Sequence, residues 1–168
     1  MKPYKIDETG EKILEILMND GRAPVEDIAR QVKETPEKIR SYIRKFEKDR
    51  IILGYKTTIN WQRIRQGDVK ALIEVKVTPE RKVGFDAIAE AIYRFPEVCS
   101  LSLLSGSYDL LVQVEGESLN SVARFVSEKL STLQGVQSTV THFLLKKYKE
   151  NGIIFDEQAS SKRLPIVP

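Results

Sequence analysis

Apolar side chains recur at helical spacing in three short segments at the start of the chain, which predicts three helices. The first follows an N-cap at Asp7 and ends near residues 19–21, Asn-Asp-Gly. In the second, after Pro24, apolar residues between Val25 and Val32 recur at i, i+3, i+4 and i+7. The third begins at Thr35-Pro36, because a Thr hydroxyl accepts an orphan backbone N–H and Pro suits the first helical position.

The third predicted helix has one apolar and one charged side. Its apolar arc comprises Ile39, Tyr42, Ile43 and Phe46. The opposite side comprises Glu37, Ser41, Arg44 and Lys48, flanked by Lys38, Arg40 and Lys45. Taken alone, this side is better interpreted as the solvated surface of a helix. The tight turn that joins it to the second helix, at Lys33-Glu34, instead favours a helix-turn-helix motif, in which the later helix enters the major groove of DNA.

After Arg50 the chain becomes rich in β-branched and aromatic residues over 51–61, which predicts a wing or hinge strand. The polar stretch 62–68 is the best domain boundary. The elements predicted beyond it are a strand at 73–77, a helix at 85–92, a hairpin of strands 98–104 and 108–115 turned by Gly106-Ser107, a helix capped by Ser118 that packs through Leu119, Val122, Phe125, Val126, Leu130 and Leu133, and a strand at 136–145.

The order βαββαβ is the ferredoxin-like arrangement, so the predicted fold class is α+β, a winged helix-turn-helix followed by a ferredoxin-like domain. The predicted boundaries are 1–54 for the first domain, 55–68 for a hinge strand and linker, 69–147 for the second domain and 148–168 for a C-terminal tail. Two helices cover only one face of a four-stranded sheet. Because Leu104, Leu111 and Leu145 make the other face apolar, we infer that another subunit buries it.

Charge supports a polyanionic partner for the first domain. The net charge of the 168 residues is only +3, but residues 33–65 carry 10 Lys/Arg against 4 Asp/Glu. Residues 1–32 carry 5 against 7, and residues 66–168 carry 12 against 13. Clustered Lys and Arg neutralise phosphates and release condensed counterions, so this concentration of charge favours double-stranded DNA as the partner.

Composition offers little for catalysis, and we predict no catalytic residue, cofactor or metal. Cys99 is the only cysteine, which excludes an intrachain disulfide and a cysteine-cluster metal site, and its alternation with two serines favours a strand hydrophobe over a reactive thiol. His142 is the only histidine and has no clustered partner. No apolar run approaches the roughly 20 residues that cross a bilayer, and the N-terminus lacks an apolar signal segment, so we expect a cytoplasmic protein without a membrane partner.

Several short motifs together resemble the leucine-responsive and asparagine-responsive regulators, the Lrp/AsnC family, from about residue 6 to 145. Ile6-Asp7 matches the family's I/L-D before its first helix, and Gly54-Tyr55 matches the G-Y after its helix-turn-helix. Residues 106–109, GSYD, match its G-x-Y-D hairpin. Gly135-Val136, followed by Thr139 and Thr141, matches its G-V-x-x-T-x-T strand.

The resemblance implies a transcription regulator that dimerises through its C-terminal sheets, commonly assembles into octamers, and binds an amino acid or related small molecule between dimers. Asp109 would engage the effector's ammonium group. Backbone and hydroxyl contacts would come from Ser105, Gly106, Ser107, Tyr108, Thr139 and Thr141. Without the resemblance, these residues are better explained as a plain hairpin turn and a polar strand face.

For DNA, we expect base-edge contacts near the start of the third helix and phosphate contacts near its end. The base-edge candidates are Glu37, Lys38, Arg40, Ser41 and Arg44, with Thr35 at the helix start, and the phosphate candidates are Lys45, Lys48, Arg50 and Lys56. Two residues depart from the family pattern. Lys33 stands where the turn usually holds Gly, and Tyr42 replaces a common basic residue of the recognition helix.

Two alternatives remain open at this point. The family also contains decarboxylases that act on siroheme-type tetrapyrroles and are expected to rely on histidine and arginine, which a chain with one histidine fits poorly. The other alternative is a sensor scaffold whose DNA-binding half is vestigial.

Overall fold

The structure, a computed structural model, describes residues 4–64, 67–78 and 84–155, and the chain divides into two units, Met1–Ile59 and Asn60–Pro168. The division falls within the stretch 55–68 that the sequence predicts as a hinge and linker. The first unit contains α1 (Glu8–Asn19), α2 (Val25–Val32) and α3 (Pro36–Lys48). The three predicted helices are therefore confirmed.

Apolar stripes from all three helices form the core of the first unit. The fully buried members of this core are Ile13, Ile28, Ala29, Ile39 and Phe46. The N-cap predicted for α1 is present, because Asp7 Oδ1 accepts a hydrogen bond from the Gly10 N–H at 2.8 Å. The cap satisfies one of the backbone donors that a helix start leaves without an intrahelical partner.

The wing or hinge strand predicted over 51–61 is not formed, since residues 51–60 include no strand and Trp61–Arg63 form a 3₁₀-helix. The chain turns back onto α3 instead. The N–H groups of Ile51 and Ile52 both donate to Phe46 O, at 2.8 and 3.1 Å. The Tyr55 hydroxyl donates to Glu47 Oε1 at 3.1 Å. A high strand propensity does not make a strand where no partner strand supplies the ladder.

The second unit contains β1 (Val69–Val77), α4 (Asp86–Tyr93), β2 (Val98–Leu103), β3 (Leu110–Gly116), α5 (Leu119–Arg124) and β4 (Val136–Phe143). The strands form one antiparallel sheet in the order β2-β3-β1-β4. This is the predicted ferredoxin-like βαββαβ arrangement.

The helices cover one face of this sheet. Inward-facing residues of β1, such as Ile73 and Val75, are fully buried, as are Val112 of β3 and Ile92 of α4. Opposite residues of an antiparallel pair share a face. The register therefore assigns Leu72, Glu74, Lys76, Leu111, Gln113, Ser138, Val140 and His142 to the other, open face.

Three local features of the second unit differ from prediction. After Arg124 the helix winds as a π-helix over Phe125–Leu130, and Leu119, assigned to the packing face, is 55% exposed. Val122 and Phe125 are buried, as predicted. A β-bulge between Val98 and Ser100 leaves Cys99 exposed, so it is not a core residue of the chain.

The hairpin and the tail also differ from the simplest expectation. The Leu104 N–H donates to Asp109 O at 2.8 Å, so residues 105–108 form a four-residue loop between β2 and β3 rather than a direct turn at Gly106-Ser107. The predicted tail begins with a short hairpin of β5 (Lys149–Glu150) and β6 (Ile153–Ile154). The remainder of the predicted tail, residues 156–168, lies outside the described residues.

Candidate nucleic-acid interface and sensor site

The turn between α2 and α3 has a left-handed residue at its start. Lys33 caps α2 with φ 57° and ψ 45°, and its N–H donates to Ala29 O. The turn therefore has the left-handed geometry that favours glycine, although the residue is lysine. Thr35 then caps α3, its hydroxyl accepting from the Lys38 N–H at 3.3 Å, and Pro36 occupies the first helical position. These caps define where α3 begins.

The ten predicted DNA-contacting residues lie on the outer side of α3 and just beyond its two ends. All are exposed except Arg40, whose side chain is 42% exposed. Glu37, Ser41, Arg44 and Lys48 follow one another at i, i+4, i+7 and i+11, and we call them the outer row. At about 1.5 Å rise per residue the row spans roughly 16 Å. That length matches about five base-pair steps of 3.4 Å.

Ion pairs separate these cations into two groups. Arg40 donates to Glu26 Oε1 of α2 at 2.7 Å and lies 3.5 Å from Glu37 Oε1, while Lys38 donates to Glu34 Oε1 at 2.6 Å. Arg44 and Lys48 of the outer row form no ion pair within the described part of the chain. The positive charge of the outer row is therefore concentrated towards its C-terminal end.

The remaining predicted contacts surround the C-terminal end of α3. Lys45 Nζ lies 5.8 Å from the centre of the Tyr4 ring, and the Tyr4 hydroxyl donates to Asp49 Oδ2 at 2.7 Å. Arg50 has φ 56°, so the chain leaves α3 through a second left-handed residue. Lys56 lies exposed in the irregular segment after the helix.

Tyr42 faces inward from α3, a position that the sequence pattern predicted, but its partner was not predicted. Its hydroxyl donates to Asp7 Oδ2 at 2.5 Å, and its ring centre lies 5.8 Å from that of Phe46. The Tyr42 hydrogen bond, followed by the Gly10 N–H, lowers the pKa of the Asp7 carboxyl group. The residue that departs from the family pattern therefore binds the N-cap of α1.

Asp109, the predicted ligand of an effector's ammonium group, already has two partners. Its Oδ2 accepts from the Val77 N–H at 3.0 Å, and its Oδ1 accepts from Lys76 Nζ at 3.1 Å. The Val77 hydrogen bond, and to a smaller extent Lys76, lower the pKa of Asp109. Burial acts in the opposite direction, since the side chain is only 18% exposed. Asp109 therefore fastens the hairpin to the end of β1.

The predicted sensor residues lie near one end of the sheet but do not form one enclosed pocket in a single chain. Ser105, Gly106 and Ser107 are exposed, and Tyr108 is half-buried. Thr139 and Thr141 pair with Val75 and Ile73 on the helix-covered face, and Thr139 Oγ1 lies 3.4 Å from Ser131 Oγ. With neighbouring strands about 4.8 Å apart, β1 separates the backbones of Asp109 and Thr139 by roughly 10 Å.

Two cavities of the second unit were not predicted. One, of about 210 Å³, lies beside α4, and its lining includes Thr78, Ile88 and Gly135. The other, of about 220 Å³, lies beside α5, and its lining includes Glu97 and Gly116. None of the seven predicted effector residues lines either cavity. Both cavities form between elements distant in the chain, so local motifs carry no signal for them.

The surroundings of the single histidine give little support for a catalytic role. His142 Nε2 lies 3.1 Å from Glu74 Oε1 on the open sheet face, with its side chain 55% exposed. Among residues 4–64, 67–78 and 84–155, no group of three His, Cys, Asp or Glu side chains is placed to hold a metal ion. The same residues contain no helix long and apolar enough to span a membrane.

A helix-turn-helix unit with an exposed basic helix, joined to a ferredoxin-like unit, defines the class of transcription regulators that carry a DNA-binding and a ligand-binding domain in one chain. The family model for the AsnC-type helix-turn-helix domain matches residues 6–47, and that for the Lrp/AsnC ligand binding domain matches residues 70–154. The chain belongs to the Lrp/AsnC family of DNA-binding transcription regulators.

Relatives agree with this assignment over nearly the whole chain. The uncharacterized HTH-type transcriptional regulator YugG of Bacillus subtilis is 47% identical over 165 residues, covering 98% of this chain and 99% of its own. The proline dehydrogenase transcriptional activator of Rhizobium radiobacter is 27% identical over 152 residues, covering 90% and 97%. Both relatives are named as transcriptional regulators, which agrees with the prediction of a regulator rather than an enzyme.

A solved structure gives the same fold. The transcriptional regulator NMB0573 of Neisseria meningitidis, crystallised as an L-Met complex, superposes with a TM-score of 0.68 at 27% identity, covering 87% of this chain and 94% of its own. The α+β fold class, a helix-turn-helix followed by a ferredoxin-like domain, and the resemblance to the family are both confirmed, although the predicted wing strand is not formed.

Proposed function

We propose that the protein binds specific DNA sequences through α3 and that an amino acid or related small molecule, bound by the second unit, controls this activity. The observation that carries the DNA half is the outer row. Arg44 and Lys48 form no ion pair in the described chain, on a helix whose start is capped and whose Arg40 is tied to α2. Cations without carboxylate partners are available to phosphates and base edges.

The two cations of the outer row would have different roles. Arg44 is the best candidate for base recognition, because a guanidinium donates two hydrogen bonds to guanine O6 and N7. Lys48, one turn later, is better suited to a phosphate, with Lys45, Arg50 and Lys56 nearby in the chain. Arg40 and Lys38 are held by carboxylates, so we expect them to contribute less until DNA displaces those partners.

The test compares three variants of the full chain on a duplex that the wild-type protein selects from a random-sequence pool. We expect Arg44→Ala to relax base preference at one position of the duplex, by about 1–3 kcal/mol. Lys48→Ala should weaken binding to all duplexes alike and reduce the slope of log affinity against log salt by about 0.9. Arg124→Ala removes the same charge from an exposed site in the second unit, where Arg124 pairs with Glu128, and should change neither.

Three results would contradict this assignment of roles. The first is a wild-type chain that selects no sequence from the pool, which would favour the sensor scaffold with a vestigial DNA-binding half. The second is an Arg44→Ala variant that keeps its full base preference. The third is an Arg124→Ala variant that weakens binding as much as Lys48→Ala, since binding would then follow net charge alone.

The effector would bind at the hairpin end of the sheet. The candidate contacts are Ser105, Gly106, Ser107, Tyr108, Asp109, Thr139 and Thr141. The Neisseria regulator's L-Met complex and the Rhizobium relative's proline dehydrogenase name both support an amino acid. The loop residues 105–107 are exposed, so a second subunit is needed to enclose a ligand there. An ammonium group at Asp109 Oδ1 would have to replace Lys76.

A thermal-shift screen of the free amino acids tests the effector proposal. A ligand that binds only the folded protein stabilises it by about 2.7 kcal/mol at 100 times its dissociation constant, so we expect one or a few amino acids to raise the melting temperature. The N-acetyl derivative of each positive amino acid lacks the ammonium group and should have no effect. A screen without any shift would contradict the proposal, and an equal shift by the N-acetyl derivative would exclude Asp109 as the ammonium partner.

The protein would act as a homo-oligomer, a dimer through the open sheet face and then an octamer assembled from four such dimers. The apolar residues of this face support the proposal, since Val140 is 51% exposed in the single chain and Leu72 and Leu111 lie on the same face. A DNA partner would place the protein with the chromosome, in the cytoplasm.

A further inference from the structure

One carboxylate joins the start of α1 to the middle of α3. Asp7 Oδ1 accepts from the Gly10 N–H at 2.8 Å and caps α1, while Asp7 Oδ2 accepts from the Tyr42 hydroxyl at 2.5 Å. Hydroxyl to carboxylate hydrogen bonds are among the shorter and stronger ones in proteins. The position of α3 is therefore tied to a group that is itself fixed by the backbone of another helix.

The space around this carboxylate leaves little freedom. A Cβ at Gly10 would lie 3.0 Å from Asp7 Oδ1 and 3.0 Å from Phe46 Cζ, so α1 and α3 approach each other closely beside the bond. A second contact lies two residues earlier on α3, where Arg40 donates to Glu26 of α2 at 2.7 Å. The two contacts connect α3 to two different helices.

We propose that Tyr42 is a positioning residue for sequence recognition, whose hydrogen bond to Asp7 holds α3 so that Ser41 and Arg44 meet base edges in register. The inference rests on the proposed DNA-binding role of α3. Ser41 is adjacent to Tyr42 in the chain and Arg44 follows two residues later, so a shift of the Tyr42 backbone moves both.

Base and phosphate contacts differ in their sensitivity to such a shift. Hydrogen bonds to base edges weaken steeply when donor and acceptor move by a few tenths of an ångström or tilt away from linearity. The attraction of Lys48 to a phosphate falls slowly with distance. Loss of the Tyr42 bond should therefore reduce sequence preference while leaving the electrostatic part of binding unchanged.

The experiment measures the dissociation constants of the full chain for two duplexes over a range of salt. One is a duplex that the wild-type chain selects from a random pool, and the other is a scrambled duplex of equal length. Tyr42→Phe removes the hydroxyl and keeps the ring. Asp7→Ser keeps an N-cap residue of equal rank but is too short to reach Tyr42. Tyr148→Phe, at an exposed tyrosine of the second unit, is the control.

We expect Tyr42→Phe and Asp7→Ser each to weaken binding to the selected duplex by about five- to tenfold, which lies within the range for the net loss of one typical hydrogen bond. Tyr42→Phe changes no charge at neutral pH, so its binding to the scrambled duplex and its salt slope should stay unchanged. Asp7→Ser removes one negative charge and should tighten binding to both duplexes alike by that effect, so its loss is measured as the ratio of the two affinities. The double variant should be no weaker than either single variant, because both remove the same bond. The control should match the wild type.

Each failure has its own signature. A wild-type chain that selects no duplex would overturn the proposed function together with this inference. A wild-type preference that Tyr42→Phe retains in full would overturn this inference alone. Equal weakening on both duplexes would also overturn this inference, since it indicates a smaller folded fraction rather than a displaced helix. Additive losses in the double variant would overturn it as well.

Discussion

Replacement of Gly10 by alanine should lower the stability of the first unit, although it adds only one methyl group. In an ordinary helix the change would be favourable, because alanine exceeds glycine in helix propensity by about 1 kcal/mol. Gly10 is buried, however, and a Cβ there would lie 2.9 Å from Ile6 Cγ1, 3.0 Å from Asp7 Oδ1 and 3.0 Å from Phe46 Cζ. Steric crowding and helix propensity therefore act in opposite directions.

The crowding should outweigh the propensity. Inserting a methyl group into a filled site costs about 1–3 kcal/mol, and the displacement of Asp7 also weakens the cap of α1. Phe46 cannot withdraw easily, because it is itself buried against the core of the unit. We expect Gly10→Ala to lower the free energy of unfolding of the first unit by a net amount of about 1–2 kcal/mol.

Hydrogen exchange of the full chain, followed by mass spectrometry of peptides from residues 6–50, measures this loss within one unit. A loss of one or two kcal/mol corresponds to roughly a 5- to 30-fold faster exchange of the protected amides. Gly21→Ala is the matched control. A Cβ at Gly21 would meet only Tyr55 Cδ1 at 3.5 Å and Leu17 O at 3.7 Å, which are ordinary contacts.

The control should exchange no faster than the wild type, because alanine also reduces the freedom of the unfolded chain. Exchange in Gly10→Ala that is as slow as in the wild type, or slower, would refute the reasoning. That result would mean that α1 and α3 move apart at little cost, and it would also weaken the inference about Tyr42.

Three further predictions concern the acid stability, the turn and the oligomer. The pKa of Asp109 is lower in the folded chain than in the unfolded chain, so the ionised carboxylate stabilises the fold above its unfolded pKa of about 3.9. This contribution is lost as the pH falls through the folded pKa, so Asp109→Asn should flatten the decline of the melting temperature below about pH 4. An unchanged slope would contradict this. Lys33→Gly should slow amide exchange in α2 and α3, because it removes the backbone strain of a lysine in the left-handed conformation. The entropy that glycine loses on folding offsets less than about 1 kcal/mol of this gain. Faster exchange would argue against that strain. Val140→Lys should lower the mass measured by light scattering after gel filtration, whereas Asn120→Lys on α5 should not, and a wild-type monomer would contradict the proposed dimer.

The helices and strands of both units were predictable because they depend on local periodicity and capping. Asp7 and Thr35 start their helices as predicted, and the alternation in β1 and β3 matches the buried residues of the sheet. The wing strand was predicted wrongly because strand formation depends on a partner, which the propensity of residues 51–61 does not report. The π-helix has no sequence signature, since Val122 and Phe125 fit the packing face predicted for an ordinary α-helix and are buried in the structure.

The candidate sites were predictable as surfaces but not as networks. A helical wheel identifies the outer side of α3, yet the bond from Arg40 to Glu26 joins residues 14 positions apart on different helices. The engagement of Asp109 by Lys76 and Val77 joins residues 33 and 32 positions apart. Such pairings depend on how elements are packed, and a motif such as G-x-Y-D carries no information about them.

The bond between Lys76 and Asp109 would set the concentration at which an effector is sensed. An ammonium group that binds Asp109 Oδ1 must compete with an amine of the same chain, and tethered groups act at effective concentrations of millimolar or above. Lys76 would thus compete with any amino acid that binds there and lower its apparent affinity. A substitution at position 76 would then change the effector concentration at which the protein responds, without altering the residues that determine which amino acid binds.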